Sequence, residues 1–256
     1  MQVPVMGQSI SPLDNDRYRA RVKLVDEFRE RFNLHTQQSS LSDCREDSLA
    51  DNILLLCDLA SMKSKNDSAF ILAKNFARTA VRQHTKLQYA DSTWVAKAHC
   101  HARYKGKATE FTLFLNVQER GKGMYKWVIA RAEGELLMLP PSQRHDRIML
   151  LPDDHETQFM SLRNMTSHQP DCVVNFASGH VRIDPTSVFF ALAYGGDLQI
   201  EYVSPLEFIF LQVPGYIFSL RHFERESKNA GWLIDTITPA TKEQKDNFLQ
   251  TIYDHD

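Results

Sequence analysis

Two histidines with strand spacing are the residues in this chain best suited to chemistry. His99 and His101 occupy positions i and i+2 of an alternating run, so both imidazoles point to one face of a predicted strand. Imidazole ligates metals and also transfers protons near neutral pH. The pattern therefore leaves three alternatives, which are a metal site, an acid/base or anion-binding site, and an ordinary polar sheet face.

Two cations on the same predicted face argue against a metal. Lys97 and Arg103 flank His99 and His101, and their charge would repel a divalent ion. We expect no metal site, and we keep the two histidines as candidate catalytic residues. Lys97 and Arg103 are candidate ligand-binding residues for a carboxylate or an acidic partner. Salt bridging to a neighbouring strand, for example to Glu110, is the simpler alternative.

Other polar clusters are explained by local structure. The acidic run at residues 153–156 fits a helix start, where carboxylates cap free amides and oppose the helix dipole. The Gly-x-Gly at residues 121–123 lies between predicted strands and reads as a hairpin turn. No nucleophile motif or cofactor loop is recognisable in the sequence. The sequence therefore predicts no cofactor.

A repeated spacing predicts an internal duplication. Glu119-Arg120 precedes Trp127-Val128-Ile129, and Glu224-Arg225 precedes Trp232-Leu233-Ile234 at the same distance. Each copy reads as strand, turn, strand. We interpret the two tryptophans as the core anchor of each copy.

Apolar periodicity predicts helices followed by strands in both halves. Helical stripes cover about 16–32, 48–62, 67–84, 153–165 and 187–194. Asp184-Pro185-Thr186 opens the helix at 187–194, and a Thr241-Lys-Glu-Gln244 capping box opens a last helix. Alternating runs predict strands at 94–104, 109–119, 125–129, 198–203, 206–213, 216–225 and 231–238. This order is typical of an α+β protein.

A proline pair indicates a domain boundary. Leu139-Pro140-Pro141 is followed by a polar stretch, a composition that disfavours helix and sheet interiors. We predict an N-terminal α+β unit at 1–138, a linker at 139–149 and a C-terminal α+β unit at 150–256. Each unit is expected to pack helices on a curved, cone-like antiparallel sheet.

Three local features resemble a known fold. Helices followed by a meander of long, curved antiparallel strands resemble the cone-shaped nuclear transport factor two-like fold and the related cystatin-like fold. The local features are the Asp91-Ser-Thr-Trp94 strand entry, the Gly106 hairpin and the run Tyr125-Lys-Trp127-Val-Ile. They also look like exported proteins of gut bacteria built on that plan. The resemblance implies a cone with a pocket, and relatives such as polyketide cyclases and ketosteroid isomerase carry an acid/base pair there. No such pair maps onto this sequence residue by residue.

Composition excludes several classes of function. The 256 residues are 43% hydrophobic and 24% charged with a net charge of −2, which predicts a folded protein and no nucleic-acid partner. No apolar run is long enough to predict a transmembrane segment. Cys57 and Cys100 are expected to be buried, whereas a disulfide involving Cys44 or Cys172 is left open.

The first residues suggest export. Val5-Met6-Gly7 before a polar pair has the pattern of the end of a signal peptide, which favours the cell envelope over the cytoplasm. We expect a non-enzymatic binding or interaction protein whose partner is a protein, a peptide, a glycan or a small molecule. The alternative is a cyclase- or isomerase-like enzyme with a pocket in the cone and His99 or His101 as the base.

Overall fold

The computed structural model describes residues 25–38, 43–62, 67–90, 92–121, 123–138, 159, 176–178, 183–227 and 229–253. Several predictions fall elsewhere in the chain. The signal-like segment at 5–7, the linker at 139–149 and the side chains of Cys44 and Cys172 lie outside the described residues. The predicted helix at 153–165 does so as well, apart from residue 159.

The described residues form an α+β protein, as predicted, with a six-stranded antiparallel sheet and five α-helices. The helices are α1 (Val25–Thr36), α2 (Asp43–Leu54), α3 (Ser68–Arg82), α4 (Pro185–Tyr194) and α5 (Lys242–Tyr253). The strands are β1 (Trp94–Tyr104), β2 (Lys107–Gly121), β3 (Met124–Glu133), β4 (Leu198–Phe210), β5 (Tyr216–Phe223) and β6 (Gly231–Pro239). Short 3₁₀ turns cover Leu59–Ser61 and Glu135–Leu137.

All six strands belong to one sheet, with the order β3-β2-β1-β4-β5-β6. The prediction of a separate sheet in each half therefore does not describe this chain. Pairing β1 with β4 gives both strands a hydrogen-bonded neighbour that each would lack at the edge of a three-stranded sheet. Trp127 lies in β3 and Trp232 in β6, which are the third strands of their halves and the two outer strands of the order.

The described residues fall into two compact units. The first unit draws on Met1–His99, Phe114–Ala130 and Val203–Asp254, and the second draws on Cys100–Leu113 and Arg131–Tyr202. Each unit takes residues from both predicted domains. The boundaries at 138/139 and 149/150 stay predictions.

The core of the first unit is built from aromatic rings. The helical stripe of α1 buries Phe28 and Phe32 completely, and α3 adds Phe76. Phe32 stacks on Phe218 of β5 with ring centroids 6.1 Å apart, and Phe76 meets the same ring edge-on at 5.2 Å. The amphipathic helices predicted from sequence thus cover one face of the β5–β6 hairpin.

The second unit is organised around α4. The Asp184 side chain accepts hydrogen bonds from the backbone amides of Thr186 (2.8 Å) and Ser187 (3.0 Å), and Pro185 occupies the first turn. Phe189 of α4 packs on Phe111 of β2 with ring centroids 5.5 Å apart. The predicted start of this helix is therefore observed.

Three predicted elements differ from the structure. The strands expected at 198–203 and 206–213 are one strand, β4, which continues through Pro205. The helix expected at 48–62 ends at Leu54, because the chain then leaves the helix to pair with β6. The Asp58 amide donates to the Ile234 carbonyl and the Ile234 amide donates to the Leu56 carbonyl, both at 2.8 Å. Residues Leu56–Asp58 are called the edge segment below.

The buried cysteines agree with the prediction. Cys57 and Cys100 are both buried. Burial, together with the neighbouring Asp58 carboxylate, raises the pKa of Cys57 to about 12, so this thiol stays protonated at neutral pH. In the described part of the chain, no helix is both long enough and apolar enough to cross a bilayer.

Candidate functional site

An aromatic pocket of about 240 Å³ lies in the first unit. It is lined by residues from β1, β2, β3 and the segment before β1, namely Tyr89, Trp94, Val117, Tyr125, Lys126 and Trp127. Four of these six side chains are aromatic. Apolar walls with a few polar groups are typical of sites for small ligands. We call this site the aromatic pocket.

Trp94 forms the fixed wall of the aromatic pocket. Its side chain is 2% exposed, and its indole Nε1 donates a hydrogen bond to the Tyr89 carbonyl at 3.1 Å. Its ring stacks on Phe210 of β4, with centroids 5.2 Å apart and planes 19° apart. A ring held by both a hydrogen bond and stacking is preorganised, so a ligand would not have to order it.

Trp127 forms an exposed wall at an angle to Trp94. The two indole centroids are 4.7 Å apart and the rings meet at 67°. Trp127 is 41% exposed, so the expectation that it anchors a core is wrong. Tyr125, two residues earlier in β3, is also exposed. Strand alternation places these two aromatic side chains on the same face of β3.

Two basic residues, Lys126 and Arg29, lie near the walls of the aromatic pocket. Lys126 is an exposed lining residue, and none of the six lining residues carries a carboxylate. The Arg29 guanidinium lies 3.9 Å from the centroid of the Tyr89 ring. Its Nε is buried and has no hydrogen-bond partner among the described residues, and the nearest Asp26 oxygen is 3.9 Å from Arg29 Nη2.

The C-terminal helix supports the segment that leads into Trp94. The Tyr253 hydroxyl of α5 accepts from Asn116 Nδ2 at 3.1 Å and donates to the Ser92 carbonyl at 3.2 Å. Lys245, earlier in α5, donates to the carbonyls of Leu211 (2.7 Å) and Val213 (2.5 Å), which follow β4. These contacts fix α5 against the strands that carry the pocket.

The histidine predicted as a base is paired with a carboxylate in the second unit. His101 Nδ1 lies 3.0 Å from Glu110 Oε1 of β2, and the His101 ring stacks on Tyr202 with centroids 4.3 Å apart. This contact is the cross-strand salt bridge that the simpler alternative describes. His99 is half-buried on β1 in the first unit. The absence of a metal site stays a prediction, which elemental analysis of the purified protein tests.

The cationic candidates on β1 lie on the surface. Arg103 Nε is 2.6 Å from Glu201 Oε1, and both side chains are exposed. Lys97 is exposed as well. Glu201 already pairs with Arg103, and ligand binding by Lys97 and Arg103 stays a prediction. Exposed ion pairs of this kind add about 0–1 kcal/mol to stability.

Comparison with models of protein families, with curated proteins and with solved structures finds no match for this chain. The site is therefore argued from its own geometry.

The sequence contained part of the signal for the aromatic pocket. Trp94 and the run Tyr125-Lys-Trp127 stand out as aromatic strand residues, but alternation alone does not tell a core face from an exposed one. Tyr89 lies before β1, where no pattern places it beside Trp94. Only the fold brings these residues together.

Proposed function

We propose that this protein is a non-enzymatic binding protein and that the aromatic pocket is its ligand site. The carrying observation is the corner formed by Trp94 and Trp127. The Trp94 wall is buried and fixed, whereas the Trp127 wall is exposed to solvent and accessible to a ligand. Aromatic residues with exposed area and a fixed support are typical of binding sites.

The size of the aromatic pocket favours a small group. A volume of about 240 Å³ is below the range of roughly 300–1,000 Å³ for drug-sized ligands. It suits one ring of a small molecule, a glycan or a peptide side chain. The exposed Tyr125 extends the apolar surface beyond the Trp94–Trp127 corner.

A neutral fluorescent probe tests the binding function. N-phenyl-1-naphthylamine is expected to gain fluorescence with the wild-type protein, and Trp127→Ala to weaken its binding about tenfold, because one wall of the pocket is lost. Tyr194→Ala is the matched control, since Tyr194 on α4 is an aromatic side chain 97% exposed outside the pocket. Equal binding by the Trp127 variant and the wild type would contradict the proposal.

The cell envelope is the proposed location, supported by the signal-like pattern at residues 5–7. Immunodetection in fractionated cells tests it. Recovery of the protein with cytosolic markers alone would contradict this part of the proposal, without bearing on the aromatic pocket.

A second candidate function is the enzyme of cyclase or isomerase type. The contact between His101 Nδ1 and Glu110 Oε1 favours it, because a carboxylate that orients an imidazole is a common acid/base arrangement. Base-catalysed opening of 5-nitrobenzisoxazole tests it with a generic proton-abstraction substrate. Acceleration that is lost in both His101→Ala and Glu110→Gln would favour the enzyme over the binding protein.

A further inference from the structure

We propose that the ligand of the aromatic pocket is an extended peptide, which adds as a further antiparallel strand along the outer edge of β3. This inference rests on the proposed binding function and names its ligand class. It is carried by the position of the pocket on a strand whose outer backbone groups are open among the described residues.

One hydrogen bond fixes the direction of the backbone groups of β3. The Ala132 amide donates to Oγ1 of Thr186 at 3.0 Å, so it points away from β2. Alternate residues of a strand direct their amides and carbonyls to the same side. Four further residues of β3 therefore share the outward direction, namely Met124, Lys126, Val128 and Ala130.

The outer edge of β3 is open in the part of the chain that the structure describes. In the sheet order, β3 has β2 as its neighbour on one side only. No backbone hydrogen bond between described residues reaches the outward amides at residues 124–130. The other outer strand, β6, differs because the edge segment pairs with it at Ile234. An open strand edge can take up an extended peptide through main-chain hydrogen bonds.

The aromatic pocket lies beside this edge and offers a place for one side chain of the peptide. Tyr125 and Trp127 direct their backbone groups to β2, so a peptide residue opposite either of them forms a non-hydrogen-bonded pair. The Cα atoms of such a pair are about 4.5 Å apart, which is closer than in a hydrogen-bonded pair. A peptide side chain opposite Trp127 would therefore lie against its exposed indole. The volume of about 240 Å³ suits one aromatic ring.

Capped heptapeptides test the strand addition. The parent peptide has phenylalanine at its fourth position, to lie opposite Trp127, and threonine elsewhere, which favours a strand and adds no charge. N-methylation at the third and fifth positions removes the amide donors that face β3. N-methylation at the second and sixth positions removes donors that face solvent, and is the matched control. We expect the first pair of methyl groups to weaken binding about tenfold and the second pair to change it less than about twofold.

Indole signals report whether the peptide reaches the aromatic pocket. The chain has three tryptophans, so protein labelled with ¹⁵N-tryptophan gives three indole signals. The parent peptide should shift the signals of Trp94 and Trp127, with Trp232 on β6 as the internal reference. A heptapeptide of threonine alone should bind about tenfold more weakly than the parent, because it leaves the pocket empty.

The outcomes separate the peptide from the binding function. Equal affinities of the two methylated peptides, or the reverse order, would overturn strand addition. If no heptapeptide shifts Trp94 or Trp127 while N-phenyl-1-naphthylamine still binds, the peptide inference is wrong and the proposed function stands. If that probe fails as well, the proposed function is wrong. Dimerisation of the wild type that excludes the parent peptide, measured by sedimentation velocity, would assign the edge to a second copy of the chain instead.

Discussion

Replacing Arg225 with alanine is expected to lower the free energy of unfolding by about 3 kcal/mol. Arg225 Nη1 lies 2.6 Å from Oδ1 of Asp58, whose residue is 3% exposed. The variant would leave a buried carboxylate without its partner, which costs more than the pair itself contributes. Urea unfolding followed by circular dichroism measures the loss.

Arg221→Ala is the control for this variant. Arg221 also pairs with an aspartate, Asp235, but at 3.3 Å and with an exposed side chain. Exposed pairs contribute about 0–1 kcal/mol, so Arg221→Ala should change stability little. Equal losses of unfolding free energy in the two variants would show that the buried Arg225–Asp58 pair contributes no more to stability than an exposed pair.

The contribution of the Arg225–Asp58 ion pair to stability should depend on pH. Burial alone would raise the pKa of Asp58. The hydrogen bond and charge of Arg225, together with hydrogen bonds from the Ala60 amide and the Ser61 side chain, outweigh burial and hold the pKa below its usual value. A lowered pKa in the folded state means that the contribution is complete above the unfolded pKa of about 3.9 and is lost as pH falls through the lower folded pKa. The stability difference between wild type and Arg225→Ala should therefore shrink below about pH 4. A difference that stays constant down to pH 2 would contradict this assignment.

Replacing Trp94 with alanine is expected to cost about 3–5 kcal/mol, the usual range for truncating a buried aromatic residue. The indole is almost fully buried and stacks on Phe210, and its Nε1 proton is satisfied by the Tyr89 carbonyl. Removing it leaves both a cavity and an unpaired carbonyl. Thermal and urea unfolding measure the effect.

Trp127→Ala is the matched comparison for Trp94→Ala. Trp127 faces Trp94 across the aromatic pocket but keeps much of its surface in solvent. Its loss should cost less than about half as much stability, because less area leaves water on folding. If Trp127→Ala were as damaging as Trp94→Ala, Trp127 would be a core residue and the pocket would not be an open site.

Sequence patterns predicted the locally determined parts of the fold. The Asp184-Pro185 helix start and the reciprocal Thr241–Gln244 capping box are set by neighbours within a few residues, and both are observed. The long alternation of β1 was equally clear. In each case the signal and the structure it specifies lie within the same short segment.

The remaining features depend on residues far apart in the chain. The edge segment leaves the helical pattern because Ile234, far along the sequence, offers it hydrogen bonds. Trp127 lies on an outer strand, and its alternating neighbours give no sign of which face is covered. The aromatic pocket was not predictable for the same reason, since Tyr89, Trp94 and Trp127 meet only after the sheet has formed.

The edge segment also has a consequence for self-association. Ile234 lies at the middle of an outer strand, where unpaired amides and carbonyls would template the addition of a strand from another molecule. Its amide and its carbonyl are instead both used by Leu56 and Asp58, and the Arg225 ion pair holds Asp58 in place. The apparent molar mass of Arg225→Ala, measured by light scattering, should therefore rise with protein concentration under conditions in which most of the protein is still folded. The Arg225–Asp58 ion pair therefore opposes two processes, which are unfolding and the addition of a strand from another molecule to β6.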